Sequence, residues 1–121
     1  MIVALVPDLM DRSKVSAAAK AAGESVRFVN QAPRLVAAVE EDSPDLVLVD
    51  LGRPGAVDAV RELAGAGAGA GARVVGFGSH VDRDLLAEAG DAGCEEVLAR
   101  SQFFRDLARV LTERPEAEPP A

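Results

Sequence analysis

The fold of this protein is decided by residues 44–55, which read PDLVLVDLGRPG. Four consecutive Leu and Val residues, with no polar residue among them, are typical of a β-strand that is covered on both faces of a parallel sheet. Asp50 ends this strand and precedes a turn that contains Pro54 and Gly55. Because ligands of open α/β sheets bind at the carboxyl ends of the strands, the segment predicts that Asp50 lies at a binding edge.

Strand and helix patterns alternate along the chain on both sides of this segment. We predict strands at residues 2–6, 25–29, 45–49, 73–77 and 95–99, and helices at residues 11–22, 33–42, 56–64, 82–89 and 102–112. Such alternation favours a parallel sheet with right-handed crossovers and helices on both faces. We therefore predict one domain over residues 1–113, and a disordered tail or the start of a linker over residues 114–121, which hold three prolines and two glutamates.

Composition and charge exclude several classes of partner. The chain has 121 residues and 49% hydrophobic content, which is enough for one domain with a real core. Its net charge of -7 disfavours nucleic acids and anionic membranes, because both are recognised by clustered basic residues. Cys94 is the only cysteine, so an internal disulfide is excluded. With no signal-peptide pattern and no apolar run of membrane-spanning length, we expect a cytoplasmic protein.

The glycine-rich segment at residues 65–71, GAGAGAG, differs from a phosphate-binding loop. Its glycines occupy every second position, which does not match the spacing of a dinucleotide-binding loop, and no lysine follows as in a P-loop. Alternating Gly and Ala packs little core and costs backbone entropy on ordering. We predict a mobile or poorly formed end of the third helix.

The order of elements and several short motifs resemble the receiver domains of bacterial response regulators. Asp50, Pro54 and Gly55 match the phosphoacceptor aspartate of that family and the residues that follow it, and Ser79 matches the Ser or Thr after the fourth strand. Residues 92–96, AGCEE, are similar to the family's turn into the fifth strand. The resemblance covers the chain nearly to the end of the last helix. It implies a signalling domain, not an enzyme, with a flavodoxin-like, doubly wound sheet of order 2-1-3-4-5 and five helices.

The first loop departs from the family pattern. Where receiver domains carry two adjacent acids that help to hold magnesium, this chain has Pro7 and Asp8. The resemblance therefore implies at most a weakened Mg²⁺ site, formed by Asp8, Asp50 and the backbone carbonyl of Gly52. Asp11 compensates for the lost acid only if the loop folds back.

The fifth strand and the loop after it also depart from the family pattern. These departures indicate an atypical receiver or pseudo-receiver. Arg100 stands in the position of the family's lysine and offers a planar fork in place of a compact ammonium. Ser101 replaces the proline that follows, and Val97 replaces the aromatic residue that changes rotamer on phosphorylation. Arg100 either pairs with Asp50 in the resting state or points to solvent.

Each candidate residue also has a purely structural interpretation. Asp50 starts a turn or accepts hydrogen bonds from backbone amides. Asp8 begins the first helix, and Ser79 forms hydrogen bonds with the amides of the helix that follows it. His80 is a solvated loop residue. Cys94 is a small buried hydrophobe.

Two functions of different class follow from these observations. The favoured one is a phosphorylation-independent protein-interaction domain. The resemblance places its partner surface on the fourth helix, fifth strand and fifth helix, which contain Arg83, Leu86, Val97, Phe103 and Phe104. Some of these belong to the core, and adjacent phenylalanines cannot both point inward from one helix face, which leaves one for a partner.

The alternative is a phosphoacceptor domain of a two-component system, with a histidine kinase as partner. Asp50 would then attack a phosphoryl group on a donor histidine, with magnesium at Asp8 and Asp50, while Ser79 and Arg100 contact the phosphoryl oxygens. A third hypothesis is a flavodoxin-like domain that binds a small cofactor at the same edge of the sheet. The sequence leaves a homodimer open.

Overall fold

The computed structural model describes residues 1–67 and 71–113. Its strands are β1 (Ile2–Leu5), β2 (Val26–Val29), β3 (Leu46–Asp50), β4 (Arg73–Gly78) and β5 (Glu96–Ala99). Its helices are α1 (Leu9–Ala21), α2 (Leu35–Asp42), α3 (Ala56–Ala66), α4 (Arg83–Ala92), α5 (Arg100–Arg105) and α6 (Leu107–Thr112), and one 3-10 turn, Ala32–Arg34, leads into α2. Every predicted strand is confirmed to within one residue at each end.

The five strands form one parallel sheet of order β2-β1-β3-β4-β5. This confirms the predicted flavodoxin-like, doubly wound fold and its strand order. The chain runs from β1 outward to β2 and then crosses back to β3 on the other side of β1. The carboxyl ends of β1 and β3 therefore meet at the point where the strand order reverses, which is where open α/β sheets bind ligands.

Two hydrophobic layers cover the sheet, one on each face. Val47 and Val49 of β3 pack in the layer that contains α2, α3 and α4, whereas Leu46 and Leu48 pack against α1, α5 and α6. All four side chains are buried. The prediction from the unbroken apolar run in β3 is therefore confirmed, because both faces of the strand are covered.

The chain forms six α-helices in its described part, not the five predicted. The predicted helix at 102–112 is interrupted at Asp106, where φ is -99° and ψ is 16°. The Asp106 N–H still donates to the Gln102 carbonyl at 2.9 Å, but the backbone leaves the helical conformation. Aspartate is a poor residue for a helix interior because its side chain competes for backbone hydrogen bonds, which fits a break at this position.

The ends of the other four predicted helices differ from the structure by up to three residues, and the largest difference is in α4, which continues to Ala92. Helix α1 begins at Leu9, two residues earlier than predicted, and α3 continues to Ala66 before Gly67 ends it with φ at 67°. A left-handed glycine is a common helix end. Residues 68–70 of the glycine-rich segment and the predicted tail at 114–121 lie outside the described residues.

Arg73, at the amino end of β4, connects the sheet to the carboxyl end of α6. Its side chain is buried, and Nη1 donates to the carbonyls of Val110 at 3.1 Å and Glu113 at 2.9 Å. Nη2 donates to Glu96 Oε1 at 3.3 Å. The last carbonyls of a helix lack partners within the helix, so the guanidinium satisfies groups that would otherwise be left unpaired. Within the described residues, no helix is long and apolar enough to span a bilayer.

Candidate functional site at the carboxyl edge of the sheet

The predicted site residues lie at one edge of the sheet. Asp8 follows β1, Asp50 ends β3, Ser79 follows β4, and Arg100 follows β5. Because all the strands are parallel, their carboxyl ends share this edge. The structure therefore brings the four residues to the same side of the molecule, although their individual contacts differ from those that the sequence predicts.

Asp50 is half-buried at the end of the central strand, paired in register with Phe77 of β4. Its Oδ1 accepts a hydrogen bond from the Gly52 N–H at 3.0 Å. Burial raises the pKa of this carboxyl above its ordinary value, and it outweighs the lowering effects of the Gly52 N–H and of the positive charges of Arg100 and Arg53. The ionised form of Asp50 is thus disfavoured by its surroundings.

Asp8 is the N-cap of α1. Its Oδ1 accepts the Asp11 N–H at 3.0 Å, and this bond is the main reason why the pKa of Asp8 is lowered. The structural interpretation of Asp8 therefore holds, and its carboxylate is exposed.

The donors for a divalent cation are few. No group of three or more His, Cys, Asp or Glu residues within ranges 1–67 and 71–113 is placed to hold a metal ion. Asp8 and Asp50 each have one oxygen in a hydrogen bond to a backbone N–H. Magnesium requires near-octahedral oxygen coordination, so these two carboxylates and the Gly52 carbonyl fit a weak site at most.

Arg100 pairs with Asp11, and neither of the two predicted arrangements of Arg100 is found. Its Nη2 donates a charge-assisted hydrogen bond to Asp11 Oδ1. Asp11 is only 1% exposed, whereas the Arg100 side chain is 47% exposed. The second oxygen of Asp11, Oδ2, is buried and has no hydrogen-bond partner among the described residues. The arginine thus neutralises a buried acid that sequence reasoning had set aside.

The early start of α1 explains this pairing. Because the helix begins at Leu9, Asp11 lies within its first turn, and its backbone N–H donates to Asp8 Oδ1. No folding back of a loop is needed. The signal in the sequence was the spacing of Asp8 and Asp11, three residues apart, which is typical of an N-cap followed by an acid in the first helical turn.

An aromatic cluster lies under the Arg100 guanidinium. Phe77 and Phe103 are stacked with ring centroids 4.3 Å apart, and Phe104 meets Phe77 edge-on at 5.4 Å. The Arg100 guanidinium lies 5.1 Å from the Phe104 ring centroid, and Lys14 lies over the same ring at 4.9 Å. Stacking on aromatic faces stabilises a guanidinium in place, so Phe104 supports the Arg100–Asp11 pair.

Both adjacent phenylalanines belong to this cluster, so the prediction that only one of them points inward is wrong. Phe103 is fully buried, whereas Phe104 is half-buried and retains some accessible surface. Val97 is also half-buried and packs on the opposite layer of the sheet from the aromatic cluster. Of the predicted partner surface, Phe103 thus belongs to the core, and Arg83, Leu86, Val97 and Phe104 keep accessible surface.

The remaining loop residues mainly serve local structure. Ser79 is exposed, and its Oγ accepts a hydrogen bond from the Val81 N–H at 3.4 Å, within the loop. The amides of α4 are instead capped by Asp82, which accepts a hydrogen bond from the Leu85 N–H, so the structural interpretation of Ser79 as a helix cap is wrong. His80 is exposed. Cys94 is buried, as predicted, and burial raises the pKa of its thiol to about 11. The thiol therefore stays protonated and unreactive at neutral pH.

Among the described residues, three large hydrophobic side chains are strongly exposed, and all lie near this edge. They are Leu9 and Met10 in the first turn of α1, at 77% and 72%, and Val81 in the loop before α4, at 74%. Strands β1 and β4, which lead into these segments, flank β3 in the sheet. Apolar side chains therefore stand on both sides of the strand that carries Asp50, a feature that sequence analysis missed.

Comparison with known proteins identifies the fold. No protein-family model and no curated protein matches the sequence. Among solved structures, a CheY-like response regulator receiver domain protein from Methanospirillum hungatei has a TM-score of 0.76 at 15% identity, with 89% of this chain and 86% of that chain covered. The receiver domain of NtrX from Brucella abortus has a TM-score of 0.74 at 18% identity, with coverages of 92% and 98%.

A third similar structure carries ligands. A response regulator from Burkholderia pseudomallei, with a phosphorylated aspartic acid, a calcium ion and citrate, has a TM-score of 0.77 at 12% identity. The match covers 91% of this chain and 65% of that one. At these identities the similarity shows that the chain has the fold of response regulator receiver domains.

Proposed function

We propose that this protein is a signalling domain with the receiver fold, that it acts by binding another protein, and that it does not depend on phosphorylation of Asp50. We propose no enzymatic activity for it. The observation that carries the proposal is the contact between Arg100 and Asp11. By resemblance, Arg100 stands where a lysine would meet the phosphoryl group, and here its charge is already engaged by another carboxylate.

Releasing Arg100 toward Asp50 would be costly. Asp11 would then be a buried carboxylate without any partner, since Oδ2 already has none among the described residues. Breaking a buried ion pair costs about 3–5 kcal/mol, and the partial exposure of Arg100 reduces this figure. Contacts between Arg100 and a phosphoryl group on Asp50 would have to offset that cost. The Arg100–Asp11 pair is therefore favoured over an arrangement in which Arg100 contacts Asp50.

The acids at this edge support the same proposal. Pro7 removes one of the two acids expected after β1, and Asp8 is used as a helix cap. A bound magnesium ion would offset the negative charge of a phosphoryl group, and Asp8, Asp50 and the Gly52 carbonyl are the groups that would hold it. With only these donors, and with burial raising the pKa of Asp50, the edge is poorly suited to gaining further negative charge.

We place the partner on the surface of α4, β5 and α5. Arg83 and Val81 are exposed there, and Leu86, Val97 and Phe104 are half-buried. This mixture of apolar side chains and an arginine is typical of protein interfaces. The net charge of -7 argues against nucleic acid or an anionic membrane at this surface. A second copy of the chain is one candidate partner, and a cytoplasmic location belongs to the same proposal.

The second candidate function is phosphotransfer from a histidine kinase to Asp50. It is favoured by one observation: Asp50 ends β3 beside the strand that leads to Ser79, which is the arrangement that the family resemblance implies for a phosphoacceptor. In that case Arg100 must leave Asp11 when the phosphoryl group arrives.

An amide NMR titration with magnesium, followed by beryllofluoride as a phosphoryl mimic, separates the two functions. We expect no specific shifts at residues 8, 50, 79 and 100 in the wild-type protein. Shifts at these residues that are absent from an Asp50→Ala variant would overturn the proposal in favour of phosphotransfer. Asp58→Ala, which removes an exposed acid on α3, is the matched control for nonspecific cation binding.

The interaction itself is tested by affinity capture with purified wild-type protein and with a Val81→Glu/Arg83→Glu variant, which changes two exposed residues of the proposed surface. We expect the wild type to retain a protein that the variant does not. Analytical ultracentrifugation of both proteins shows whether that partner is a second copy. If neither experiment finds an association that the variant abolishes, the proposed surface is wrong.

A further inference from the structure

A cleft of about 490 Å³ opens between the loop after β2 and the loop after β3. It is lined by Asn30, Gln31, Ala32, Pro33, Arg53 and Pro54. Because β1 lies between β2 and β3 in the sheet, the cleft lies over the carboxyl end of β1, on the side of α2 and α3. This is the place where strand order reverses, and the volume is within the range of small-molecule sites.

The charge of the cleft is opposite to that of the whole protein. The chain has 20 acidic residues and a net charge of -7, yet no acid lines this cleft. The Arg53 guanidinium makes no hydrogen bond or ion pair with any side chain in the part of the chain that the structure describes. Asp8 and Asp50 are near enough to feel its charge but do not bond to it. Arg53 is thus available to a phosphate or carboxylate.

Asn30 is a second hydrogen-bond donor at the cleft. Arg12 donates from Nη2 to Asn30 Oδ1, and Arg12 is itself held by a 2.8 Å hydrogen bond to the Val6 carbonyl and by the ring of Phe28. Since the arginine takes the oxygen of the Asn30 amide, the nitrogen is left as a donor. No hydrogen bond of this nitrogen is found within ranges 1–67 and 71–113. Two donors without acceptors therefore line the same cleft.

Pro33 and Pro54 give the cleft rigid apolar walls. Neither residue has a backbone N–H, and their rings fix the backbone on both sides of the opening. Ala32 is buried at the base of the cleft, and Gln31 provides an adaptable amide. Three lining residues are polar and three are apolar, a combination that suits a small molecule with a charged part and an apolar part.

We propose that this cleft binds a small organic anion, whose phosphate or carboxylate contacts Arg53 and Asn30 and whose flat apolar part lies against Pro33 and Pro54. An adjoining depression of about 420 Å³ shares Asn30 and Gln31 with the cleft; of its two arginines, Arg27 is paired with Glu41 and Asp42, which leaves Arg34 as the added positive charge. The inference does not depend on whether Asp50 accepts a phosphoryl group.

Amide NMR titrations with two matched pairs of probes test the proposal. AMP and nicotinate carry a ring with a phosphate or a carboxylate, and adenosine and nicotinamide are their neutral counterparts. We expect at least one anion to shift the amides of residues 30–32 and 53, and its neutral counterpart to bind far more weakly. The anion that binds identifies the ligand as a phosphate or a carboxylate, and inorganic phosphate alone shows the contribution of the ring.

Variants locate the binding group. We expect Arg53→Ala to weaken binding of the anion by about tenfold or more, as expected for the loss of one charge-assisted hydrogen bond. Arg61→Ala removes an exposed arginine on α3 that pairs with Asp58, and it should bind like the wild type. Asp50→Ala removes a negative charge near Arg53 and should strengthen anion binding, whereas it abolishes any response of Asp50 to beryllofluoride, which separates this test from that of the proposed function.

Four results would overturn the proposal. They are the absence of shifts with both anions at millimolar concentration, equal binding of the neutral counterparts, inorganic phosphate binding as tightly as AMP, and an equal loss of affinity in Arg53→Ala and Arg61→Ala. Each would show that the cleft lacks either the charge recognition or the apolar contact that its lining indicates.

Discussion

Arg100 donates a hydrogen bond to Asp11, which lies 89 residues earlier in the chain, across the carboxyl edge of the sheet. The pair joins the start of α1 to the start of α5, and the rings of Phe77 and Phe104 lie beneath the guanidinium at 5.8 and 5.1 Å. At a position where the receiver-like pattern implies a group that contacts phosphate, this chain therefore has a structural ion pair.

Removing Arg100 should destabilise the protein. We expect Arg100→Ala to lower the free energy of unfolding by about 2–4 kcal/mol, because Asp11 is left buried and unpaired while the exposure of Arg100 moderates the loss. Replacing both partners, in Asp11→Leu/Arg100→Leu, should recover much of it. Urea denaturation measures each variant, and Arg105→Ala, an exposed arginine on the same helix, is the control. A cost below about 0.5 kcal/mol for Arg100→Ala would show that the pair is weak.

The pH dependence of stability should reveal the environment of Asp50. Burial raises its pKa in the folded protein, so its contribution to stability is fully present below the ordinary value of 3.8 and is lost as pH rises through the raised pKa. Asp50→Asn should therefore stabilise the protein at pH 7, by less than about 1 kcal/mol since the group is half-exposed. The two proteins should be equally stable below pH 3.8. A less stable variant at pH 7 would mean that a cation holds the carboxylate.

Asp8 should behave as a helix cap. We expect Asp8→Ala to reduce stability and Asp8→Asn to retain most of it. An asparagine at the N-cap also accepts a hydrogen bond from the Asp11 N–H. The pKa of Asp8 is lowered, so the added stability of aspartate over asparagine should be present above pH 3.8 and be lost as pH falls further. Thermal denaturation at several pH values measures both effects. Equal losses in the two variants would point to a role of the charge other than capping.

Arg73 should be important for the attachment of α6. We expect Arg73→Met to lower the free energy of unfolding by about 2–3 kcal/mol, since two helix carbonyls and Glu96 lose a charged partner. Arg109→Met, which removes an exposed arginine that also binds Glu96, should change stability much less than Arg73→Met. Hydrogen exchange should accelerate most at residues 107–112 in the Arg73 variant. Uniform acceleration over all helices would contradict a local anchoring role.

Local patterns were sufficient to predict the elements of this fold. The unbroken Leu and Val run of β3 can only be buried on both faces, and glycines or prolines mark the ends of several neighbouring elements, so the alternation and the parallel sheet followed from short segments. The position of Asp50 at the sheet edge followed in the same way. The break at Asp106 was not predicted, because the apolar spacing of 102–112 suits one continuous helix and the interruption depends on a single weak helix former.

The amino-acid sequence by itself determined the strands, the fold class and the placement of Asp8, Asp50, Ser79 and Arg100 after their strands, because these depend on hydrophobic periodicity and capping within a few residues. Only the tertiary structure decided that Arg100 binds Asp11, and that Asn30 and Arg53 line one cleft. Such contacts join residues that are distant in the chain. They depend on where each helix begins and how it packs on the sheet, which no local pattern specifies.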